Sequence, residues 1–318
     1  MGAAAAPAGE RSLGGLRILI TGATAGLGRV AAIELGRRGA HLMLAGRDPG
    51  RTEAARAVVA AAAASAGGPA PETLAVDLGS QASIRAAVAV AASAAGAPAP
   101  ETLAVDLGAQ ASIRNAAAEV RTRWDRIDIL ISNAGVYSPQ RKVTVDGLEE
   151  TFAVNVVAPF LMTELLLPAL QAAAPARAIT TSSNRHRGGK LHWDDLQLER
   201  GHGGIAAYNQ SKLAVNLLVR EAARRHAGSG VSFQAVHPGA IATEIYRDLP
   251  WIVRKLIPVF TRTAAGGAAP LVHVATLPEL PPSGTYWNRL RPETASAAAR
   301  DDAAAARLWD LVKGLAGL

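Results

Sequence analysis

A tyrosine and a lysine four positions apart form the first pair of residues in this chain that could carry out chemistry together. Tyr208 and Lys212 lie in a segment, residues 207–214, whose pattern is typical of a helix. Residues four apart lie on one face of a helix, so the ammonium group would stand beside the phenol. A phenol, with an ordinary pKa near ~10, is a poor proton donor or acceptor at neutral pH unless a neighbouring cation stabilises the phenolate. The pair therefore predicts a general acid or base, and a purely structural helix pair is the alternative.

A glycine-rich turn near the N-terminus indicates a site for a pyrophosphate group. An apolar run, residues 16–21, leads into this turn, and a helical pattern follows from Arg29 to Leu35. Side chains at such a turn would block the approach of a phosphate to backbone N–H groups and to the positive end of the helix. A plain tight turn is the alternative, but the position directly after the first predicted strand favours dinucleotide binding. The residues predicted to bind are Gly22, Thr24, Ala25, Gly26, Leu27 and Gly28.

The end of the second predicted strand indicates which dinucleotide binds. About 20 residues beyond the turn, an acidic side chain would bind the ribose 2′-OH of NAD, whereas a basic one would bind the 2′-phosphate of NADP. Arg47 stands here and predicts NADP(H), with NAD(H) less favoured. Asp48 comes one residue later and precedes Pro49, so we interpret it as the cap of the next helix, with a ribose contact as the alternative.

Short strand-like runs alternate with alanine-rich helical stretches along the chain. This alternation predicts the α/β class, with a doubly wound parallel sheet (Rossmann fold) in a single domain. The runs are continuously apolar, as expected for strands that helices cover on both faces. We expect a flexible segment over residues 1–15 and one dinucleotide-binding domain over residues 16–318. The predicted strands cover residues 16–21, 41–45, 73–76, 102–105, 127–132, 178–182 and 231–236.

One helix-plus-strand unit occurs twice in tandem. Residues 56–84 and 85–113 align at a constant offset, and the same eleven-residue sequence stands at 69–79 and 98–108. Two copies are too few for a repeat architecture, which needs about three or more. We interpret the duplicated helix–strand unit as a duplication that the fold tolerates or as an error in the gene model, with a functional insert as the alternative.

Composition excludes several classes of protein. With 49% hydrophobic and 19% charged residues over 318 positions, the chain can bury a large core, which excludes disorder as its main state. It has no cysteine, so disulfides and thiolate chemistry are excluded, and its scattered histidines predict no metal site. The net charge of +7 is spread along the chain without a nucleic-acid-binding motif, so we assign it to the surface and to one phosphate site.

Apolar patterning predicts no membrane-spanning or secretory segment. The longest apolar run, residues 161–170, is interrupted by Glu164 and Pro168 and falls short of the roughly 20 residues that a span needs. The first 15 residues lack the basic and apolar regions of a secretory signal. We therefore expect a cytoplasmic protein.

Together these features resemble the single-domain short-chain dehydrogenase/reductase superfamily, over about residues 16–239 with a similar tail to residue 311. Within it, the chain is most similar to the retinol-dehydrogenase-like and WW-domain-oxidoreductase-like branch, which residues 182–186, 283–287 and 298–309 suggest. The motifs that carry the resemblance are the turn Thr21 to Gly28, Asn133-Ala134-Gly135, Asn155, Thr181-Ser182-Ser183, Tyr208-x-x-x-Lys212 and Pro238-Gly239.

The resemblance implies a role for each catalytic residue. Tyr208 would be the general acid in carbonyl reduction or the base in alcohol oxidation, and Ser183 would hold the reacting oxygen, with Ser182 as the competing choice. Lys212 would lower the pKa of Tyr208 and bind the nicotinamide ribose, and Asn155 would hold a water molecule of a proton relay. Two hydroxyl donors suit this chemistry, since a carbonyl that accepts hydride develops negative charge on its oxygen.

The resemblance also extends the cofactor site. Adenine would be contacted by Asp106-Leu107 or by the duplicate Asp77-Leu78, and we favour Asp106, which leads through one helix into the next predicted strand. The other residues implied in cofactor binding are Asn133, Ala134, Gly135, Tyr208, Lys212, Pro238, Gly239 and Thr243.

The substrate is less defined than the reaction. Residues 240–290 would form the substrate lid and C-terminal region, and the apolar segment from Leu249 to Phe260 would cover a lipophilic substrate or touch a membrane, with ordinary lid packing as the alternative. Relatives that act on retinoids usually carry a membrane anchor at the N-terminus. Because we expect no such anchor in this sequence, we do not assume a retinoid substrate. Ala158 departs from the glycine that many relatives carry after the relay asparagine.

These observations predict an NADP(H)-dependent oxidoreductase that acts on a carbonyl or alcohol of an apolar small molecule. The alternative is a catalytically idle NADP-binding regulator or scaffold of the same fold. A third possibility is that the duplication spoils the adenine pocket. The partners expected are a small-molecule substrate and, as in some relatives, a second copy of the chain; no nucleic acid is expected.

Overall fold

Strands and helices alternate along the chain, as the sequence predicts. The computed structural model describes residues 11–64, 99–239 and 264–318. The strands are β1 (Arg17–Thr21), β2 (His41–Gly46), β3 (Glu101–Ala104), β4 (Ile129–Ser132), β5 (Ala176–Thr181), β6 (Val231–His237), β7 (Thr285–Asn288) and β8 (Arg291–Pro292). The helices are α1 (Gly26–Arg37), α2 (Pro49–Ala64), α3 (Gln110–Arg123), α4 (Glu150–Ala172), α5 (Gly204–Arg225), α6 (Ala264–Thr276) and α7 (Asp302–Leu315).

The described strands form one eight-stranded sheet in the order β3-β2-β1-β4-β5-β6-β7-β8. Neighbouring strands are parallel except β7 and β8, which form an antiparallel pair. The predicted doubly wound α/β fold is therefore confirmed, while β7 and β8 were not predicted. The strand order reverses between β1 and β4, and ligands bind at the carboxyl ends of the strands at such a switch point.

The core has two layers, one on each face of the sheet. In β1, Leu19 packs on the face covered by α3, α4, α5 and α7, whereas Ile18 and Ile20 pack on the face covered by α1, α2 and α6. Successive strand residues point to opposite faces, so a strand covered on both sides must be apolar throughout. Burying each such side chain contributes roughly 1.5–3 kcal/mol, so β1 is anchored at the centre of the sheet.

Helix α4 is longer than the sequence pattern indicates. Its first turns include a π-helical segment, Ala153–Val157, and the helix continues through Pro168 rather than ending there. Of the helices in the described residues, α4 is long and apolar enough to cross a membrane. The expectation that this apolar run is too short for a span is therefore wrong. About 61% of its most apolar window is buried in the protein, so composition alone is weak evidence for a span.

The structure corrects one boundary of the sequence analysis. Residues 11–15, predicted to be flexible, pack onto the domain: Leu13 is fully buried, and the Arg11 N–H donates to the Thr276 carbonyl (2.9 Å). Residues 1–10 lie outside the described part of the chain, as do the predicted strand at 73–76 and the segment 249–260 of the predicted lid.

The duplicated unit supplies one strand of the sheet from its second copy. Leu103 of β3 pairs with Ala45 of β2, and Ala104 pairs with Gly46. Residues 65–98, which contain most of the first copy's distinctive sequence, are not described. The strand next to β2 is therefore the one that leads directly into Asp106.

Candidate active site

The glycine-rich turn follows β1 at the switch point of the sheet. Gly22 and Gly26 adopt the left-handed region, with φ of 68° and 52°, which a residue with a side chain rarely adopts. A Cβ atom on Gly28 would overlap the Gly22 carbonyl oxygen and the Asn133 side chain. The turn therefore requires glycine at these positions, and without side chains there its backbone can be approached closely by a bound group.

The turn leads into a helix end that is open to an anion. Helix α1 begins at Gly26, and its N-cap residue, Ala25, supplies no side-chain hydrogen bond to the first N–H groups. No acidic residue lies in its first turn. Unsatisfied N–H groups and the helix dipole together favour negative charge at this end. Thr24, Ala25, Gly26 and Leu27 are half-buried, and Gly28 is buried.

The segment after β4 is bound to the turn. The Asn133 side chain donates to the Thr21 carbonyl (3.1 Å), and the backbone N–H groups of Asn133 and Ala134 donate to the Thr21 hydroxyl (3.1 and 3.2 Å). Ala134 packs so closely on Gly22 that a Cβ atom added to Gly22 would lie 2.9 Å from the Ala134 Cα. The structure thus brings Asn133, Ala134 and the glycine turn together at one edge of the sheet.

Two residues predicted to select and hold the cofactor follow β2 and β3. Arg47 is exposed directly after β2. Asp48 accepts a hydrogen bond from the Arg51 N–H (2.9 Å), which confirms its interpretation as the cap of α2. Asp106 is exposed and accepts from the Gly108 N–H (3.0 Å), and Leu107 is half-buried beside it; Asp77 and Leu78 lie outside the described residues.

Asn155 lies in the π-helical segment of α4 and is 2% exposed. Its Oδ1 accepts from the Val136 N–H (2.8 Å), and its Nδ2 donates to the Val136 carbonyl (2.9 Å) and to the Ser211 hydroxyl (3.1 Å). A Cβ on Gly135 would lie 3.2 Å from the Asn155 Oδ1. Asn155 therefore joins the segment after β4 to helix α5.

The two serines after β5 have different environments. Ser182 is 1% exposed and its hydroxyl accepts from the Asn216 side chain (2.7 Å). Ser183 caps the short 3-10 helix Asn184–Gly188, where its hydroxyl accepts from the Arg185 N–H (3.2 Å). The Ser182 hydroxyl is thus bound to a side chain of α5 inside the protein, whereas the Ser183 hydroxyl lies just beyond the end of β5.

Tyr208 and Lys212 lie on one face of α5, as their spacing predicts. The Lys212 Nζ is 5.6 Å from the centre of the Tyr208 ring and donates to the Thr181 carbonyl (2.8 Å), at the end of β5. The Tyr137 ring meets Tyr208 edge-on, with 6.1 Å between ring centres. Lysine, tyrosine and the strand end that carries Ser183 are therefore adjacent.

Burial changes the acidity of the lysine. Lys212 is 3% exposed, and removal from water lowers its pKa from 10.5 to about 8. The ammonium form is disfavoured because burial penalises charge. At neutral pH Lys212 still carries its proton, so its ammonium group can stabilise a phenolate at Tyr208.

The cofactor residues predicted after β6 are only partly described. Pro238 and Gly239 follow the end of β6 and are buried, and Gly239 has a φ of 100°, which favours glycine. Thr243 lies outside the described residues.

Comparisons with known proteins decide the family. The family model described as short chain dehydrogenase matches residues 17–98 and 90–250. The chain belongs to the short-chain dehydrogenase family. Retinol dehydrogenase 14 of Mus musculus is 32% identical to it over 96% of this chain and 86% of that protein. Retinol dehydrogenase 13 of Homo sapiens is 34% identical over 97% and 87%.

Solved structures agree with this assignment. A crystal structure of a protein from Mycobacterium paratuberculosis has a TM-score of 0.71 and 30% sequence identity, and the match covers 97% of this chain and 96% of that one. The RhlG/NADP complex of Pseudomonas aeruginosa has a TM-score of 0.60 at 22% identity, which shows a shared fold. This short-chain dehydrogenase is therefore an oxidoreductase that acts on alcohol or carbonyl groups. The predicted resemblance to the retinol-dehydrogenase-like branch is confirmed.

Two buried residues of this short-chain dehydrogenase support the site and were not assigned a role from sequence. Asn216 donates to Ser182 and to the Lys212 carbonyl (2.8 Å), and it continues the four-residue spacing of Tyr208 and Lys212 along α5. His186 is fully buried, its Nδ1 lies 2.7 Å from the Ser183 carbonyl oxygen, and burial lowers its pKa. The spacing could have indicated Asn216, whereas the contacts of His186 depend on the fold.

Within the described ranges, no group of three or more histidine, aspartate or glutamate side chains is arranged to hold a metal ion.

Proposed function

We propose that this short-chain dehydrogenase transfers hydride between NADP(H) and the carbonyl or alcohol group of an apolar small molecule, with Tyr208 as the general acid or base. The observation that carries the proposal is the position of the Lys212 ammonium group, which lies 5.6 Å from the centre of the Tyr208 ring and donates a hydrogen bond to the Thr181 carbonyl, two residues before Ser183. Family membership gives the reaction class, and this geometry supports its assignment to particular residues.

The residues present fit a dinucleotide. Gly22 and Gly28 leave backbone where side chains would collide, and the open end of α1 favours a phosphate. When bound, the nicotinamide accepts or supplies the hydride. The residues that would hold the cofactor are the glycine turn with Gly22, Thr24, Ala25, Gly26, Leu27 and Gly28, then Arg47, Asp106, Leu107, Asn133, Ala134, Gly135, Tyr208, Lys212, Pro238, Gly239 and Thr243.

Tyr208 moves the proton. Its hydroxyl gives a proton to the substrate oxygen during carbonyl reduction and takes one during alcohol oxidation. Phenolate forms at neutral pH only if a cation stabilises it, and the Lys212 ammonium group, 5.6 Å from the centre of the Tyr208 ring, is the cation assigned that role. Lys212 is held in place by the Thr181 carbonyl, so its charge stays beside the tyrosine.

Ser183 supplies a second donor to the substrate oxygen. The Ser182 hydroxyl is buried against Asn216, which leaves Ser183 as the hydroxyl at the end of β5. A donor fixed before the reaction stabilises the negative charge that develops on a carbonyl oxygen when hydride reaches its carbon. The backbone around Ser183 is fixed by His186, which supports this pre-arranged position.

Asn155 orders the site from the other side. Its amide binds both backbone groups of Val136 and the Ser211 hydroxyl, which places Gly135 beside the Lys212 Nζ. We propose that Asn155 also holds the water molecule through which Lys212 exchanges its proton with solvent.

Arg47 supports NADP(H) as the cofactor. It is exposed after β2, and Asp48 is engaged by the first turn of α2, so the cationic side chain is the one available to a ribose 2′-substituent. A guanidinium group binds phosphate in a bidentate manner, and it discriminates against a cofactor that lacks the 2′-phosphate.

Relatives support an apolar substrate. Several similar proteins are named retinol dehydrogenases, and retinol is an apolar alcohol. The Tyr137 ring packs edge-on against Tyr208, so an aromatic side chain lies next to the proposed proton donor. We therefore include retinal among the substrates to be tested.

The test is a titration followed by a turnover assay. NADPH and NADH are titrated into the purified protein by fluorescence, and retinal, aliphatic and aromatic aldehydes and ketones are then assayed for cofactor oxidation. We expect tighter binding of NADPH and turnover of at least one apolar carbonyl compound. NADPH binding without turnover of any substrate would contradict the proposal and support an idle NADP-binding regulator, and absence of binding would contradict the assigned cofactor site.

A further inference from the structure

A buried histidine lies between the strand end that carries Ser183 and the C-terminal part of the chain. His186 is fully buried in the short 3-10 helix that follows Ser183. Its Nδ1 lies 2.7 Å from the Ser183 carbonyl oxygen, and its Nε2 lies 3.2 Å from the backbone nitrogen of Ser296. One partner is thus three positions away along the chain, and the other is 110 positions away.

The two partners define the tautomer of the His186 ring. A carbonyl oxygen can only accept a hydrogen bond, so Nδ1 must carry the hydrogen, and a backbone N–H can only donate one, so Nε2 must be the acceptor. Burial lowers the pKa of His186, so the ring is neutral at neutral pH. Only the neutral form with a hydrogen on Nδ1 satisfies both bonds, because the other tautomer would direct its N–H at the N–H of Ser296.

The segment that carries Ser296, residues 293–300, is itself anchored to the domain. The Ser296 carbonyl accepts from the N–H of Ala299, a buried residue (3.0 Å). On the other side of Ser296, the Glu293 N–H donates to the Tyr286 carbonyl in β7 (2.9 Å). The Tyr286 ring packs edge-on against the His186 ring, with 4.7 Å between ring centres. The histidine is therefore held by a fixed part of the C-terminal region.

A second link between the same two segments is exposed and contributes less. Arg187 is paired with Glu293, and it donates to the Thr294 carbonyl (3.4 Å). The two side chains of this ion pair are 44% and 39% exposed, so water competes for them and the pair stabilises little. The bonds of His186 are buried, and breaking one leaves a polar group away from water, which is costly. The connection that matters is therefore the one through His186.

The position of the Ser183 hydroxyl depends on its own backbone. Holding the carbonyl of Ser183 holds the peptide unit from which the side chain projects. The hydroxyl accepts from the Arg185 N–H (3.2 Å) and lies 3.5 Å from the Asn184 Oδ1, which is beyond the usual range for a hydroxyl donor. Among the described residues no closer acceptor competes for its hydrogen, so this hydrogen is available to a substrate oxygen.

We propose that the C-terminal segment 293–300 positions Ser183 through His186. His186 is a positioning residue: it is buried away from the substrate, and it joins the Ser183 carbonyl to the Ser296 N–H. A donor stabilises developing charge only when it is fixed in the right place, and small displacements cost much of the effect. The inference rests on the proposed role of Ser183 and adds that this serine is set from the far end of the chain.

The first experiment measures steady-state kinetics per NADPH-binding site. His186→Phe keeps an aromatic ring against Tyr286 and removes both ring nitrogens. We expect kcat to fall about tenfold or more, with the KM for NADPH unchanged. His186→Asn places an amide N–H close to the position of Nδ1 and should recover most of the loss. His192→Phe, at an exposed histidine, is the matched control and should keep the wild-type kcat.

A double-mutant cycle separates positioning from a general structural role. In a Ser183→Ala background, His186→Phe should lower kcat by less than about twofold, because the hydroxyl that it positions is gone. A full tenfold loss in that background would overturn the proposal. Normal kcat in His186→Phe with a loss in Ser183→Ala would also overturn it while leaving the role of Ser183 intact. Normal kcat in Ser183→Ala would overturn the role of Ser183 and this inference with it.

Two further measurements test the bond to Ser296. Ser296→Pro removes the N–H donor and should lower kcat as His186→Phe does, whereas Ser296→Ala keeps the donor and should not. Equal kcat in Ser296→Pro and wild type would overturn the link to the C-terminal segment. Nitrogen-15 NMR of the wild-type histidine rings should show His186 with a hydrogen on Nδ1 and none on Nε2 at pH 7. The opposite tautomer would overturn the proposal, and this measurement needs no variant to fold.

Discussion

Lys212 keeps a positive charge where water scarcely reaches it. It is 3% exposed, and within the described part of the chain it donates to the Thr181 carbonyl and lies 5.6 Å from the centre of the Tyr208 ring. Burial disfavours its charged form, so part of the free energy of folding is used to keep the ammonium group beside Tyr208. Such a cost is common where a protein holds a group ready for reaction.

The cost predicts how stability depends on pH. The pKa of Lys212 is lowered from 10.5 to about 8, so between these values the unfolded chain binds a proton that the folded chain has released. Stability therefore rises with pH across this window, by up to about 3 kcal/mol from this group, and the penalty is constant below it. When both proteins are unfolded with urea at pH 7 to 10, the free energy of unfolding of the wild type should rise relative to that of Lys212→Met.

Lys190→Met controls for the loss of an ammonium group, since Lys190 is exposed. A constant difference between wild type and Lys212→Met at all pH values would contradict the lowered pKa.

Tyr208→Phe removes the hydroxyl while the ring keeps its place beside Tyr137. Turnover should fall by ~10²–10⁴, the range for a lost general acid, whereas the affinity for NADPH should change little. Steady-state kinetics together with NADPH titration measure both. Turnover near the wild-type value would rule out Tyr208 as the proton donor.

Arg47→Asp replaces the cation after β2 by the carboxylate that suits a free ribose hydroxyl. The ratio of NADPH to NADH affinity should fall, because the 2′-phosphate loses its partner and meets a negative charge. Arg121→Asp in α3 makes the same charge change at an exposed site away from the turn. An equal shift of the ratio in both variants would mean that Arg47 acts only through net charge.

Among single residues, the sequence predicts those that follow a local spacing. Tyr208 and Lys212 are placed by helix geometry alone, and the same rule extends to Asn216. His186 could not be assigned in this way, because the Ser296 N–H that donates to its Nε2 (3.2 Å) is 110 positions away. The roles of Ser183, Asn155 and Arg47 stay predictions, and the Arg47→Asp variant tests the last of them.

At the level of elements, the turn between β1 and α1 has the least freedom to vary. In Gly28→Ala the new methyl group would overlap the Gly22 carbonyl and the Asn133 side chain. We expect a lower melting temperature and loss of NADPH binding, since the strand, the helix and the segment after β4 cannot all keep their positions. Gly314→Ala in α7 is the matched control, because its Cβ would meet nothing within 4 Å.

The control should be neutral or stabilising by about 0.4–1 kcal/mol. Gly28→Ala with normal stability and normal NADPH affinity would show that the turn is not the cofactor site.

Strands with a continuous apolar run were predictable, and strands without one were not. Strands β1, β2 and β6 are buried along most of their length and follow the predicted runs. In contrast, β7 begins and ends with a polar residue and β8 consists of two exposed residues, so neither contains an apolar run. The π-helical segment around Asn155 depends on tertiary contacts and has no local signature.

At the level of the whole molecule, the duplicated unit can be tested by deletion. Removing residues 69–97 leaves one copy of the repeated sequence and keeps β3 next to β2. Seven residues, 65–68 and 98–100, would then join α2 to β3, close to the roughly 2–6 residues usual in α/β units. We expect the shortened chain to fold, with NADPH affinity close to that of the full chain.

Thermal unfolding and NADPH titration of the deletion variant measure this. A variant that folds but no longer binds NADPH would show that the deleted residues form part of the adenine pocket, and one that fails to fold would show that they belong to the core.

The register of β2 and β3 also explains how a chain could acquire such an insertion and survive. Gly46 pairs with Ala104, 58 positions later, and without the 29-residue offset of the duplication the same two strands would be 29 positions apart. The entropy lost when a flexible chain closes on itself grows only with the logarithm of its length, and each doubling costs about 0.6 kcal/mol. Doubling this connection is therefore a small change against the stability of a domain, about 5–15 kcal/mol. An ancestor that doubled the segment would have kept nearly all of its folded population, and selection would have had little thermodynamic reason to remove the second copy.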